Sequence, residues 1–310
     1  MFLEQGINHE NKFWKYLIGS VLIITASFVG QIPLSLAVLY QSMVNKVKYP
    51  TTDKEVMTMF ESNLTLFLVM LSFVFAFVGL YYVVKYLHNQ TLLSVATSRS
   101  KIDWKRIGFS FVLWAVFAVL SFLFVYYRSS EHFVWNFKLI PFLILFLAGS
   151  ILIPIQTSTE EFVFRGYLMQ GFANLTRNKW FPLIMTSVIF GSLHVFNPEV
   201  AKMGYIIMIY YIGTGLFLGI ITLMDDGIEL ALGFHAANNL VGALLVTSDW
   251  SVFQTHSIFI DLSEPSAGID VILPIVVIYP ILLFIFSKKY NWHDWKEKLT
   301  GKIAVNEPLN

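Results

Sequence analysis

A chain of 310 residues that is 56% hydrophobic, 16% aromatic and only 13% charged carries about half the roughly 25% charge of an ordinary soluble domain. Its net charge of +1 excludes a nucleic acid or acidic polymer held by bulk charge, and the absence of cysteine excludes disulfides, thiolate metal ligands and a cysteine nucleophile. The composition is that of an all-α polytopic membrane protein, and about eight transmembrane helices around a polar intramembrane cavity are expected.

In chain order, apolar runs long enough for a hydrocarbon core of about 30 Å lie near 15 to 42, 63 to 87, 107 to 127, 137 to 174, 180 to 197, 203 to 224, 228 to 247 and 270 to 287. The first is too long for the apolar region of a signal peptide and is read as a retained span. The fourth approaches forty residues. Straight, it would exceed any bilayer, so Pro141 and Pro154 are expected to kink or break it and leave a long helix from about 148. In the sixth, Gly213, Gly215 and Gly219 mark close helix packing. The linkers leave no room for a separate soluble domain. They divide the chain into N-terminal helices and loops over 1–136, a core over 137–247, and a loop, last helix and basic tail over 248–310.

Placing both termini in the cytoplasm assigns fourteen Lys and Arg to cytoplasmic segments and six to the opposite side, with Arg165 inside the membrane. The positive-inside rule favours that orientation. Trp180, Trp292 and Trp295 suit the interfacial aromatic belt.

The fourth run carries Glu160-Glu161-Phe-Val-Phe-Arg165, two carboxylates and a guanidinium between apolar flanks. Charge at a helix centre in the membrane costs about 2.5 to 3.5 kcal/mol per residue on insertion scales, so such residues mark functional sites. Glu161 and Arg165 are i,i+4 neighbours in the favourable order, whereas Glu160 lies about 100° round the helix and is free to face elsewhere. Two further pairs share that spacing: Phe190 with His194 on the fifth run, and His235 with Asn239 on the seventh. Glu160 precedes Arg177 by 17 residues and His194 follows it by 17, which in a helical hairpin is equal depth, so the two are expected to meet. Taken singly, each of these residues is explained by a satisfied interhelical hydrogen bond, and the Glu161–Arg165 pair by a structural salt bridge. Two glutamates, an arginine, two histidines and an asparagine on three neighbouring apolar helices are harder to explain that way. Two histidines and a glutamate are also a set that can ligate zinc.

Glu160-Glu161-x-x-x-Arg165, Phe190-x-x-x-His194 and His235-x-x-x-Asn239, in that order on successive apolar runs, resemble the three motifs of the CAAX-protease and bacteriocin-processing family of membrane proteins. The resemblance covers about 140 to 247, and no motif position departs from the pattern. It implies an intramembrane peptidase of the glutamate type that works without a metal or other cofactor. By that similarity Glu160 and His194 activate water, His235 and Asn239 form the oxyanion hole, and Glu161, Arg165 and Phe190 support them. The implied partners are a peptide or protein substrate in or near the membrane and the lipid bilayer, with no nucleic acid. The cysteine-free, lysine-rich composition points to a location integral to a bacterial cell membrane. Two other classes carry the same residues: a non-catalytic bacteriocin self-immunity or binding protein, and a proton-coupled transporter with Glu and His as relays.

Overall fold

The computed structural model describes residues 2–7, 11–251, 254–265 and 268–303. Eight helices account for the eight apolar runs: α1 (Phe13–Met43), α2 (Ser62–Leu87), α3 (Trp104–Arg128), α4 (Leu139–Thr176), α5 (Trp180–Leu193), α6 (Ile207–Asp225), α7 (Glu229–Leu245) and α8 (Val271–Tyr290). The protein is an all-α, multi-pass integral membrane protein. Among the described residues, six of these helices are long and apolar enough to cross a bilayer; α5 has 14 residues and α7 has 17, so length and composition alone do not establish the expected count of eight. α5 stops short because His194 begins a 3-10 turn, and α7 is diluted by Glu229, His235, Asn238 and Asn239.

The expected break in the fourth run does not occur. α4 continues for 38 residues. Pro141 is the third residue of the helix, inside the first turn, where backbone N–H groups have no intrahelical acceptor to lose. Pro154 lies in the interior and removes one such bond, a loss tolerated where neighbouring helices surround the site. The irregularity falls further on: residues Phe162–Leu168 form a π turn directly after the two glutamates. Insertions of this kind widen a helix locally and recur at functional sites.

α4 is the central element. It packs against α2 and α7, and its C-terminal turns meet α5; α1 covers α2, α3 covers α7, and α6 lies against α5. The approach of α6 to α5 is close, since a Cβ on Gly215 would stand 2.9 Å from the Ser187 carbonyl oxygen. The outer face of α1 leaves Val21, Phe28 and Leu36 exposed, as a lipid-facing surface requires.

The two ends of the bundle differ. At the end bearing the termini, Asp225 Oδ2 accepts from Arg99 Nη2 at 3.0 Å and from Arg106 Nε at 2.8 Å, Arg99 Nη1 reaches Glu229 Oε2 at 3.1 Å, and Trp292 Nε1 donates to Asp225 Oδ1 at 3.3 Å. Lys298 pairs with Asp226, and the Phe2 N–H donates to the same carboxylate. At the other end three short strands, β1 (Phe133–Trp135), β2 (Val246–Thr247) and β3 (Phe259–Asp261), form a sheet with β3 central, antiparallel to β1 and parallel to β2.

Candidate active site

Glu161 and Arg165 face each other across the start of the π turn, Nη1 to Oε1 at 3.0 Å, and both side chains are 0% exposed. The other face of the guanidinium is also occupied. Arg165 Nη2 donates to the Gly215 carbonyl at 3.4 Å, and its planar head lies 4.2 Å from the Phe190 ring centroid. The small residue that lets α6 close on α5 therefore also brings a backbone acceptor to the arginine. Phe190 touches more than the cation: its ring lies 4.7 Å from that of His194 and 6.0 Å from that of His235.

Glu161 does more than hold Arg165. Its Oε1 also accepts from His235 Nδ1 at 2.7 Å, which directs the opposite ring nitrogen, Nε2, to within 3.5 Å of Glu160 Oε2. Glu160 Oε1 accepts from Gln156 Nε2 at 2.7 Å, one turn earlier on α4, and Gln156 Oε1 accepts from Asn239 Nδ2 at 3.1 Å. The chain continues through Asn238 Nδ2, which donates to Asn239 Oδ1 at 3.0 Å, to Trp114 Nε1, which donates to Asn238 Oδ1 at 3.1 Å. Residues from α3, α4, α6 and α7 are thus joined in one polar network within the bundle. Glu160 Oε2 ends it, buried and without a hydrogen-bond partner.

His194 stands at the C-terminal end of α5. Its Nδ1 meets the Phe190 carbonyl at 2.8 Å, and since a carbonyl only accepts, Nδ1 carries the hydrogen and Nε2 keeps the lone pair in the neutral ring. Tyr211 of α6 stacks on the ring at 4.4 Å and 26°, and its hydroxyl accepts from Asn197 Nδ2 at 3.3 Å. No hydrogen bond, and no ion pair within 4.0 Å, joins His194 to Glu160; the histidine beside that carboxylate is His235. Equal residue counts from Arg177 do not produce a direct hydrogen bond, and the π turn alters the rise and phase of α4 on one side of the hairpin only. Among the described residues, no group of three or more His, Asp or Glu side chains is arranged to hold a metal ion.

A family model described as type II CAAX prenyl endopeptidase Rce1-like matches residues 136–241. A relative from Bacillus subtilis (strain 168), the uncharacterized protein YyaK, is 31% identical over 249 residues, covering 80% of this chain and 82% of its own length. The chain belongs to the Rce1-like family. At family level this is a CAAX-type membrane protease. No solved structure matches. The matched segment contains α4 through most of α7, and so all six charged and polar residues of the three motifs together with Phe190.

In this Rce1-like chain, sequence reasoning missed Gln156, Asn238, Trp114 and Tyr211. Gln156 had a signal, a carboxamide exactly one turn before Glu160 in an apolar run, and Asn238 adjoins a motif residue. Trp114 and Tyr211 had none, being aromatics among aromatics.

Proposed function

We propose that this protein is an intramembrane endopeptidase that hydrolyses a peptide bond of a membrane-associated peptide or protein. The observation that carries the reading is the unpartnered Glu160 Oε2, set 3.5 Å from His235 Nε2 while the other carboxylate oxygen is tethered by Gln156. Water activated between Glu160 Oε2 and His194 Nε2 gives its proton to the carboxylate as its oxygen bonds to the scissile carbonyl carbon. The carbonyl oxygen becomes an oxyanion. Asn239 Nδ2 retains one N–H beyond that given to Gln156, and His235, with Nδ1–H committed to Glu161, supplies a second donor when Nε2 is protonated. Collapse of the tetrahedral intermediate breaks the C–N bond, and the proton held by Glu160 passes to the departing amine. Glu161 and Arg165 act as positioning residues, the first through His235 and the second through Glu161.

The test compares the membrane peptidome of cells bearing the wild-type protein or Glu160→Gln. Under this reading peptides that depend on the protein disappear, because loss of a general base lowers rate by about 10² to 10⁴ while the variant stays at normal abundance. Full activity of Glu160→Gln at normal abundance sinks the peptidase reading in favour of a binding or immunity protein.

A further inference from the structure

We propose that the cavity at the bundle end opposite the termini is the docking cleft for an extended peptide, and that substrate reaches the site from that membrane face. The proposal rests on the peptidase reading and adds to it a side of entry and a binding surface. α5 ends at Leu193 after 14 residues, short of the roughly 20 that span a bilayer, so the chain leaves the helix within the membrane layer. The segment that follows walls a cavity of about 620 Å³, together with Lys54, Asp249, Trp250, Ser251 and Gln254. Val195, next to His194, lines it, and Asn197, another wall residue, donates to the hydroxyl of Tyr211, whose ring stacks on His194. Val195 and Asn197 therefore connect the cleft to the site, the first along the chain and the second through Tyr211.

The chemistry of the lining fits a peptide better than a lipid tail. Phe196, 83% exposed, offers a face for an apolar side chain. Trp250 adds an aromatic wall, and Asn197 and Gln254 bring carboxamides to the same cavity, groups that pair with a peptide backbone. Lys54 and Asp249 pair across the rim at 3.1 Å, both solvent-accessible, so the contact that narrows the mouth is a weak one. An acyl chain has no use for these polar groups. At the opposite end, the buried carboxylates of Asp225 and Glu229 hold Arg99, Arg106 and Trp292 across the bundle and close that approach. By the distribution of fourteen basic residues against six, the open end is the extracytoplasmic one.

Because the chain has no cysteine, Phe196→Cys creates a single thiol. The full-length variant is treated with a bulky, membrane-impermeant maleimide in intact cells and in inverted vesicles, with Lys302→Cys as the control at the terminal end. Cleavage is read on a synthetic reporter peptide that spans the bond whose hydrolysis generates a wild-type-dependent product of the peptidome. Expected are labelling of Phe196→Cys in intact cells only, labelling of Lys302→Cys in inverted vesicles only, and a rise in KM of about tenfold or more for the labelled cleft with kcat retained. Complete labelling of Phe196→Cys with unchanged KM, or its labelling only in inverted vesicles, overturns the proposal. The labelling arm needs no activity, so failure of the cleft is distinguished from failure of the peptidase reading, which shows instead as identical peptidomes for wild type and Glu160→Gln and withdraws both.

Discussion

Glu161→Gln tests whether the buried pair organises the site. The carboxylate has two partners on one oxygen, Arg165 Nη1 at 3.0 Å and His235 Nδ1 at 2.7 Å. Removing one member of a buried ion pair leaves an uncompensated charge and costs about 3–5 kcal/mol. Replacing the charge-assisted bond to His235 by a neutral one adds roughly 1 kcal/mol. The contact of Arg165 with Phe190 does not offset the loss, because it is already present in the wild type. A total of about 4–6 kcal/mol approaches the 5–15 kcal/mol that holds a typical protein folded. Thermal unfolding of detergent-purified protein should therefore fall by about 10 °C, with a matching drop in membrane abundance. The double variant Glu161→Leu/Arg165→Met removes both charges and should be less damaging than the single substitution. A single variant that melts within about 2 °C of wild type, or a double variant worse than the single, refutes the energetic account of the pair.

Gln156→Leu removes the donor to Glu160 Oε1 and the acceptor of Asn239 Nδ2 together, so kcat should fall by about 10² with KM and abundance near normal, as steady-state kinetics on the reporter peptide will show. His88, outside the spans, is buried against Tyr16, Tyr167 and Asn11, and burial pushes its pKa down from 6.5 to about 4. The unfolded chain then binds a proton that the folded one does not, so stability should rise with pH between about 4 and 6.5 by up to about 1.4 kcal/mol per unit, and His88→Gln should flatten that slope in melting measurements. A reporter enzyme fused to the C-terminus should be active only in the cytoplasm, given the basic residues at that end; activity only outside the cell reverses the topology.

The helices were legible because a bilayer demands apolar length, and the motif residues because polar groups in such runs must find partners. Glu160, Glu161, Arg165, His235 and Asn239 do converge, with Phe190 against them. The detail of the convergence was hidden. Spacing arithmetic assumes a regular helix, and the π turn at Phe162–Leu168 carries no sequence mark, so the partner of Glu160 was expected to be His194. The two prolines pointed to a kink or a break, and of these the break does not occur: α4 runs on through both, flanked by α2 and α7. Nor does a sequence state that one carboxylate serves two partners, as Glu161 does.

Unpartnered atoms alone do not separate a chemical site from an imperfect structural one here, because Glu161 Oε2 and Arg165 Nε are orphaned as well as Glu160 Oε2. Access separates them. The side chain of Glu161 is 0% exposed and enclosed by Arg165 and His235, whereas that of Glu160 is 16% exposed. Two adjacent glutamates thus meet different conditions: one is sealed among its counter-charges, and the other is held by one oxygen, its side chain partly exposed while Oε2 itself is buried. On the proposed mechanism, loss of charge at Glu161 is a folding defect and loss of charge at Glu160 a defect of chemistry, so the two isosteric substitutions should diverge in abundance and activity.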